Sequence, residues 1–181
     1  MLYIRHAQKA YRNGDAKEFA LDPELTEKGR EAARNKFREL IRVHGIPSRI
    51  ISSPYLRARE TAQIACEVIA EVNDCSIQIT CDSSIGEYLG HHRGIDLSRC
   101  LRPETLSYNP IPPEQWKQYS TRVKRHVHFT RECRVSQSSQ PIWYITHGIV
   151  IKSVAFFQGY DIAYPCELSG IKVDPDKVSL I

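Results

Sequence analysis

The stretch "LYIRHAQ", Leu2 to Gln8, sets three strand-forming residues directly before an arginine and a histidine. Leu2–Ile4 reads as a short buried strand. Its carboxyl end delivers Arg5 and His6 to the side of an open α/β sheet where ligands bind. Taken alone, such a pair is an ordinary solvated strand end. A second strand repeats the arrangement, however: "PIWYIT", Pro141 to Thr146, is the most strand-like run in the chain and leads straight into His147.

The segments between these two strands alternate in the same way. "SRIISS" (Ser48–Ser53) reads as a strand and "SIQIT" (Ser76–Thr80) as a half-buried one with period-two alternation. Before them, Ala33, Phe37, Leu40 and Ile41 line one face of a helix that Thr26 caps and that Gly45 and Pro47 end. Ala62, Ala65, Val68, Ile69 and Val72 form the apolar stripe of a second helix. Trp116, Tyr119, Val123 and Val127 place a third helix, and "GIVIKSVAFF" after His147 reads as a buried fourth. "GIKV" and "KVSLI", flanking Asp174-Pro175-Asp176, are expected to form a hairpin. Strands separated by helices predict a three-layer α/β/α fold with a mostly parallel central sheet. Residues 1–181 are expected to form one domain, with a short lid or insert around 88–115 that includes the prolines between Arg102 and Pro113.

Bulk properties narrow the function classes. A chain of 181 residues can bury roughly 70% of its unfolded surface in one core. Its 41% hydrophobic and 25% charged content is that of a soluble globular protein, and no apolar run nears the ~20 residues of a membrane span. Arg5 interrupts the N-terminal apolar residues after only three, unlike a secretory leader, so a cytoplasmic location is expected. The six cysteines are read as reduced thiols and core filler. A net charge of +4 suits an anionic ligand but falls short of a dedicated nucleic-acid binder.

Phosphoryl transfer to a side chain needs a nucleophile, cations around the phosphate oxygens and an acid for the leaving oxygen. His6 can offer a neutral ring nitrogen, Arg5 and Arg57 can fork onto phosphate oxygens, and His147 can donate a further hydrogen bond. Glu87 sits in the turn "IGEYLG".

Five motifs in order carry a resemblance. "LYIRHAQ", "LTEKGREAA" (Leu25–Ala33), "SSPYLRARETAQIA" (Ser52–Ala65), "GEY" and "YITHG" (Tyr144–Gly148) are similar to those of the histidine phosphatase superfamily, the phosphoglycerate-mutase-like enzymes. The most specific is the run Ser-Pro-x-x-Arg-Ala-x-x-Thr-Ala. The resemblance implies that His6 is the nucleophile, that Arg5, Arg57 and His147 complete a phosphate pocket, and that Glu87 is the general acid and later the base. It implies a phosphomonoesterase with no cofactor and no required metal. The physics agrees: two guanidiniums disfavour a charged His6, and an arriving phosphate dianion favours the protonated carboxyl at Glu87.

Some positions depart from the family pattern. Ala7 replaces the usual glycine and is expected to narrow the approach of backbone to phosphate. Glu60 stands where glutamine is frequent, and is read as a tolerated change on a helix face. Arg12 and Asn13 compete for the place of a phosphate-holding asparagine. His92, in "HHRG", is read as a contact to the rest of the substrate or as part of a solvated loop, and Gly148 as part of the substrate site.

Rival chemistries leave countable marks. No cysteine has an arginine six positions on, and no G-x-x-x-x-G-K-[ST] loop or C-x2-C pair occurs. The basic run "RVKRHVHFTRECR" (Arg122–Arg134) is read as the solvated face of a packed helix, with His126 and His128 too far round it to chelate one ion. The short chain and the course of "GEYLGHHRGID" favour hydrolysis over a mutase reaction. A non-catalytic phosphate-binding or phosphopeptide-binding module would need neither a nucleophile nor an acid. The expected partner is a phosphorylated small molecule or phosphoprotein; nucleic acid and membrane are not expected.

Overall fold

The computed structural model describes residues 1–10, 23–87, 113–134 and 140–181, and only the backbone of 113–116 and 133–134. Arg12, Asn13, His92 and most of the expected lid lie outside the described residues.

Strands β1 (Leu2–Arg5), β2 (Arg49–Ser52), β3 (Ile79–Cys81), β4 (Ile142–Thr146), β5 (Gly170–Val173) and β6 (Val178–Leu180) form a sheet in the order β3-β2-β4-β1-β5-β6. β3, β2, β4 and β1 pair in parallel, whereas β5 and β6 are antiparallel. Among the described residues, four α-helices cover it: α1 (Glu27–His44), α2 (Leu56–Asn73), α3 (Pro113–Arg134) and α4 (Gly148–Phe157).

Every residue of β4 is buried, as a central parallel strand covered on both faces requires. Successive side chains along β1 and β4 enter different cores. Leu2, Ile4, Trp143 and Ile145 pack with Phe37, Leu40, Ala62 and Val68 of α1 and α2. Tyr3, Ile142 and Tyr144 pack with Val123, Val127, Ile149 and Val154 of α3 and α4. Two cores on opposite faces of one sheet make the expected three layers.

The capping reading is seen directly. The Thr26 hydroxyl accepts from the Gly29 amide at 2.9 Å, and Gly45 ends α1 with φ +77, donating to Ile41 O. The C-terminal hairpin forms, closed by Asp174 N–H to Lys177 O.

Other details differ from the sequence reading. β3 begins at Ile79 rather than Ser76, because β2 offers partners only from Ile50↔Ile79 to Ser52↔Cys81. Val72, in the last turn of α2, is 53% exposed and does not join the core. Cys66 and Cys75 fill core margins as expected, and burial pushes the Cys66 thiol up to about 11, but Cys81 and Cys166 are exposed. Among the described residues these four cysteines are free. No described helix is long and apolar enough to cross a membrane.

Candidate active site

β1 and β4 are neighbours in parallel register, Arg5 opposite Thr146. The next residue on each strand is therefore a histidine, and the pairing continues one step beyond the strands, His6 N–H donating to Thr146 O at 2.9 Å. The two rings lie edge to face with centroids 5.3 Å apart. Sheet register alone brings together residues 141 positions apart in sequence.

His6 is 3% exposed, and its Nδ1 bonds the Ala7 carbonyl at 2.8 Å. A carbonyl only accepts, so Nδ1 carries the proton and Nε2 keeps its lone pair. Burial, with the nearby charges of Arg57, Arg5 and Lys9, holds the imidazole down to about 3, against the raising effect of the Ala7 bond. The ring is uncharged at physiological pH, the state in which an imidazole nitrogen can act as a nucleophile.

His147 is fully buried, and its Nε2 lies 2.7 Å from Ser53 Oγ. Tyr55 N–H donates to that same Oγ, whose proton is available to Nε2. With Ser53 donating, the proton of His147 sits on Nδ1, which makes no hydrogen bond among the described residues and lies 3.7 Å from Glu87 Oε2. Burial, then His6, Arg57 and Arg5, hold His147 well below its ordinary value. It is a neutral donor at the amino end of α4, where the helix adds partial positive charge.

Arg57, in the first turn of α2, is 1% exposed; its guanidinium pairs with Glu87 and lies 4.7 Å from the centre of the Tyr55 ring. Arg5 donates to Pro165 O at 2.8 Å and faces the Tyr164 ring. Lys9, half-buried, is held below its ordinary value by burial and by Arg57 and Arg5. Three cations, two neutral imidazoles and one carboxylate thus converge, an arrangement built to receive a dianion and protonate an oxygen. No group of three or more His, Cys, Asp or Glu side chains placed to hold a metal ion occurs among the described residues.

The motif spacings have local causes. Thr61, one turn after Arg57, accepts from Ala7 N–H at 3.1 Å and donates to Arg57 O, so one helix turn carries Arg57 and holds the backbone after His6. The loop after His6 also docks on the start of α1: Thr26 N–H donates to Gln8 O, and a Cβ at Gly29 would sit 2.5 Å from that oxygen. This contact is why Leu-Thr-x-x-Gly needs its glycine.

The structure joins His6, Arg5, Arg57, Glu87 and His147 in one place. Gly148 is buried beneath the Tyr164 ring, which a Cβ there would strike at 2.5 Å. Ala7 is wholly buried in the core on the α1–α2 face, leaving none of its methyl exposed to the pocket. Glu60 does more than face solvent: it accepts from Leu25 N–H at 2.7 Å and from Arg30 at 2.8 Å.

The largest correction concerns α3. His128 is exposed and pairs with Glu132, as a solvated face would. Arg122 and His126 instead turn inward. Arg122 donates to the carbonyls of Ser83, Ser84 and Gly86, and His126 is 5% exposed between Tyr3 and Ser84. The signal was available, since positions 119, 122 and 126 share a helix side with the apolar stripe. Ser53 and Thr61 were also passed over, although both stand inside the most specific motif.

The fold recurs in solved structures. A phosphoglycerate mutase from Bacillus anthracis superposes with TM-score 0.69 at 19% identity, over 99% of this chain and 90% of that one. YhfR of Bacillus stearothermophilus gives 0.67 at 24%, over 99% and 93%. A mycobacterial glucosyl-3-phosphoglycerate phosphatase gives 0.65 at 20%, over 94% and 87%. No curated protein matches the sequence. The sequence profile of the histidine phosphatase superfamily (branch 1) matches residues 1–168, which takes in both histidine-bearing strand ends and the Arg57 helix between them, and the chain belongs to that superfamily.

Proposed function

We propose that this chain hydrolyses phosphomonoesters through a phosphohistidine at His6, without a metal ion. One observation carries the reading: the Nδ1–H bond to Ala7 O leaves the lone pair on Nε2 of a buried, uncharged His6 that lies among the charges of Arg57, Arg5 and Lys9.

In the first half-reaction Nε2 attacks phosphorus, the bond to the leaving oxygen breaks, and the carboxyl of Glu87 gives that oxygen its proton. Arg57 is paired with Glu87 in the free protein. An incoming dianion offers Arg57 a second anionic partner, which frees the carboxyl to hold the proton it must donate. In the second half-reaction Glu87 takes a proton from water as the water attacks phosphorus, the N–P bond breaks, and inorganic phosphate leaves. Arg5, Arg57 and the Nδ1–H of His147 stabilise the charge on the phosphoryl oxygens throughout.

The course of the sequence after Glu87, "GEYLGHHRGID", supports hydrolysis over isomerisation. The solved phosphatase that acts on glucosyl-3-phosphoglycerate supports a phosphorylated small molecule as substrate; a phosphoprotein is the second candidate. The test is a panel of phosphomonoesters, phosphotyrosine peptides included, with rapid acid and alkaline quenches of radiolabelled substrate. Turnover unchanged by EDTA, with an acid-labile, alkali-stable phosphoryl adduct at His6, is expected; turnover without such an adduct would defeat the proposal.

A further inference from the structure

Arg5 and Arg57 lie in β1 and α2, and His6 and His147 directly follow β1 and β4, whereas Glu87 adjoins no sheet strand or α-helix among the described residues. It follows the short 3-10 turn Ser83–Ile85, and the sheet does not set its position. Every carbonyl of the preceding four residues is nevertheless held by a side chain from another element. The Arg122 guanidinium donates through Nη1 to Ser83 O at 2.5 Å and Ser84 O at 2.8 Å, and through Nη2 to Gly86 O at 3.0 Å. Thr146 Oγ1 donates to Ile85 O at 2.6 Å.

A chain of hydroxyls and the His126 ring ties the same turn to the sheet. Ser84 Oγ donates to Asp82 Oδ2 at 2.7 Å, so it accepts from His126 Nδ1 at 3.0 Å. That leaves His126 Nε2 to accept from the Tyr3 hydroxyl at 3.0 Å. Asp82 itself accepts from Ser84 N–H at 2.7 Å.

We infer that Arg122, supported by His126, is a positioning residue that sets the reach of the Glu87 carboxyl toward the leaving oxygen. The inference rests on the assignment of Glu87 as general acid. A planar fork with donors on two nitrogens can hold three carbonyls at once; a lysine ammonium at the same position is a point donor and a methionine offers none. A displacement of the acid by a fraction of an ångström weakens proton transfer without touching the phosphate pocket.

The test uses kcat/KM, which covers steps up to departure of the leaving group, for phenyl, 4-nitrophenyl and 2,4-dinitrophenyl phosphate, in order of increasing leaving-group acidity. Arg122→Met is expected to lose about 30-fold on phenyl phosphate and less than about threefold on the dinitrophenyl ester, which needs little acid assistance. Arg122→Lys should fall between, and serves if the methionine variant does not fold. In a Glu87→Gln background the Arg122→Met loss on phenyl phosphate should disappear, because the group it positions is gone.

An equal loss on all three esters, or a loss that persists in the double variant, would mean that Arg122 only supports the fold and would overturn the inference. If Glu87→Gln shows steep leaving-group dependence and the Arg122 variants do not, the positioning role alone fails. If Glu87→Gln shows none, or the wild type turns over no ester, the acid assignment fails and takes this inference with it.

Discussion

His6, the proposed nucleophile, feels the charge of the Arg57 guanidinium that pairs with Glu87, the proposed acid, yet the two residues are held by different means. His6 is fixed chiefly by backbone, through strand pairing to Thr146 and a bond from its ring to the Ala7 carbonyl, with the Thr61 hydroxyl holding the Ala7 amide as a side-chain support. Glu87 hangs from a turn whose carbonyls are gripped by the side chains of Arg122 and Thr146. Backbone pairing survives most substitutions, because every residue type brings the same N–H and C=O. A side-chain clamp is removed by one codon change. The nucleophile end should therefore tolerate changes at its supports, while the acid end should lose chemistry when a distant helix is altered.

The largest effect separates position from chemistry. His6→Ala keeps the strand register but removes the Nε2 proposed to attack, so turnover should fall by at least about 10⁴-fold. The circular dichroism spectrum should stay unchanged. A rate within tenfold of wild type would show that another group is the nucleophile.

Acid sharpens the comparison, because the two ends titrate in different windows. His6 is held down to about 3 from an ordinary 6.5. As pH falls through 6.5 the unfolded chain takes up a proton that the folded chain refuses, so stability drains from pH 6.5 down to about 3. Asp82, at the acid end, is held down to about 2 by the neighbouring His126 ring and by the hydrogen bonds it accepts from Ser84. Its contribution is complete above the ordinary carboxylate value of 3.8 and is lost only between there and about 2. Lowering pH from 7 to 5 should cost the wild type about 2 kcal/mol through His6 alone. Urea unfolding of His6→Asn at both pH values should show a smaller drop by about that amount. Equal drops in the two proteins would mean that His6 is not buried uncharged.

How much of this was legible in sequence follows the same division. His6, Arg57 and His147 stand in motifs because strand register and one helix turn place them, and local spacing encodes both. The meeting of His6 with His147 needed only two apolar strands that each end on a histidine. Arg122 was misread because a basic helix face looks solvated until something buries it. What buries it is a turn from a separate stretch of chain, whose acceptors are backbone carbonyls that carry no residue signature. The short β3 was misplaced for a similar reason, since the reach of β2 sets its length.

The smallest effect tests whether the nucleophile end is as insulated as its backbone pairing implies. Thr26 caps α1 through Gly29 and also donates to the Gln8 side chain at 3.0 Å, two residues from the nucleophile. Thr26→Ala should cost about 1 kcal/mol of stability, the usual loss of a helix cap. Thr26→Ser, which keeps the hydroxyl, should restore most of it. Catalysis should hardly change, because the Thr26 amide still bonds Gln8 O and His6 remains paired to Thr146. A kcat within about twofold of wild type, alongside a lower urea midpoint, would place this contact in the support of the fold and not in the aim of the ring. A kcat loss as large as that expected of Arg122→Met would instead show that both ends of the pocket rely on side-chain clamps, and the contrast between them would collapse.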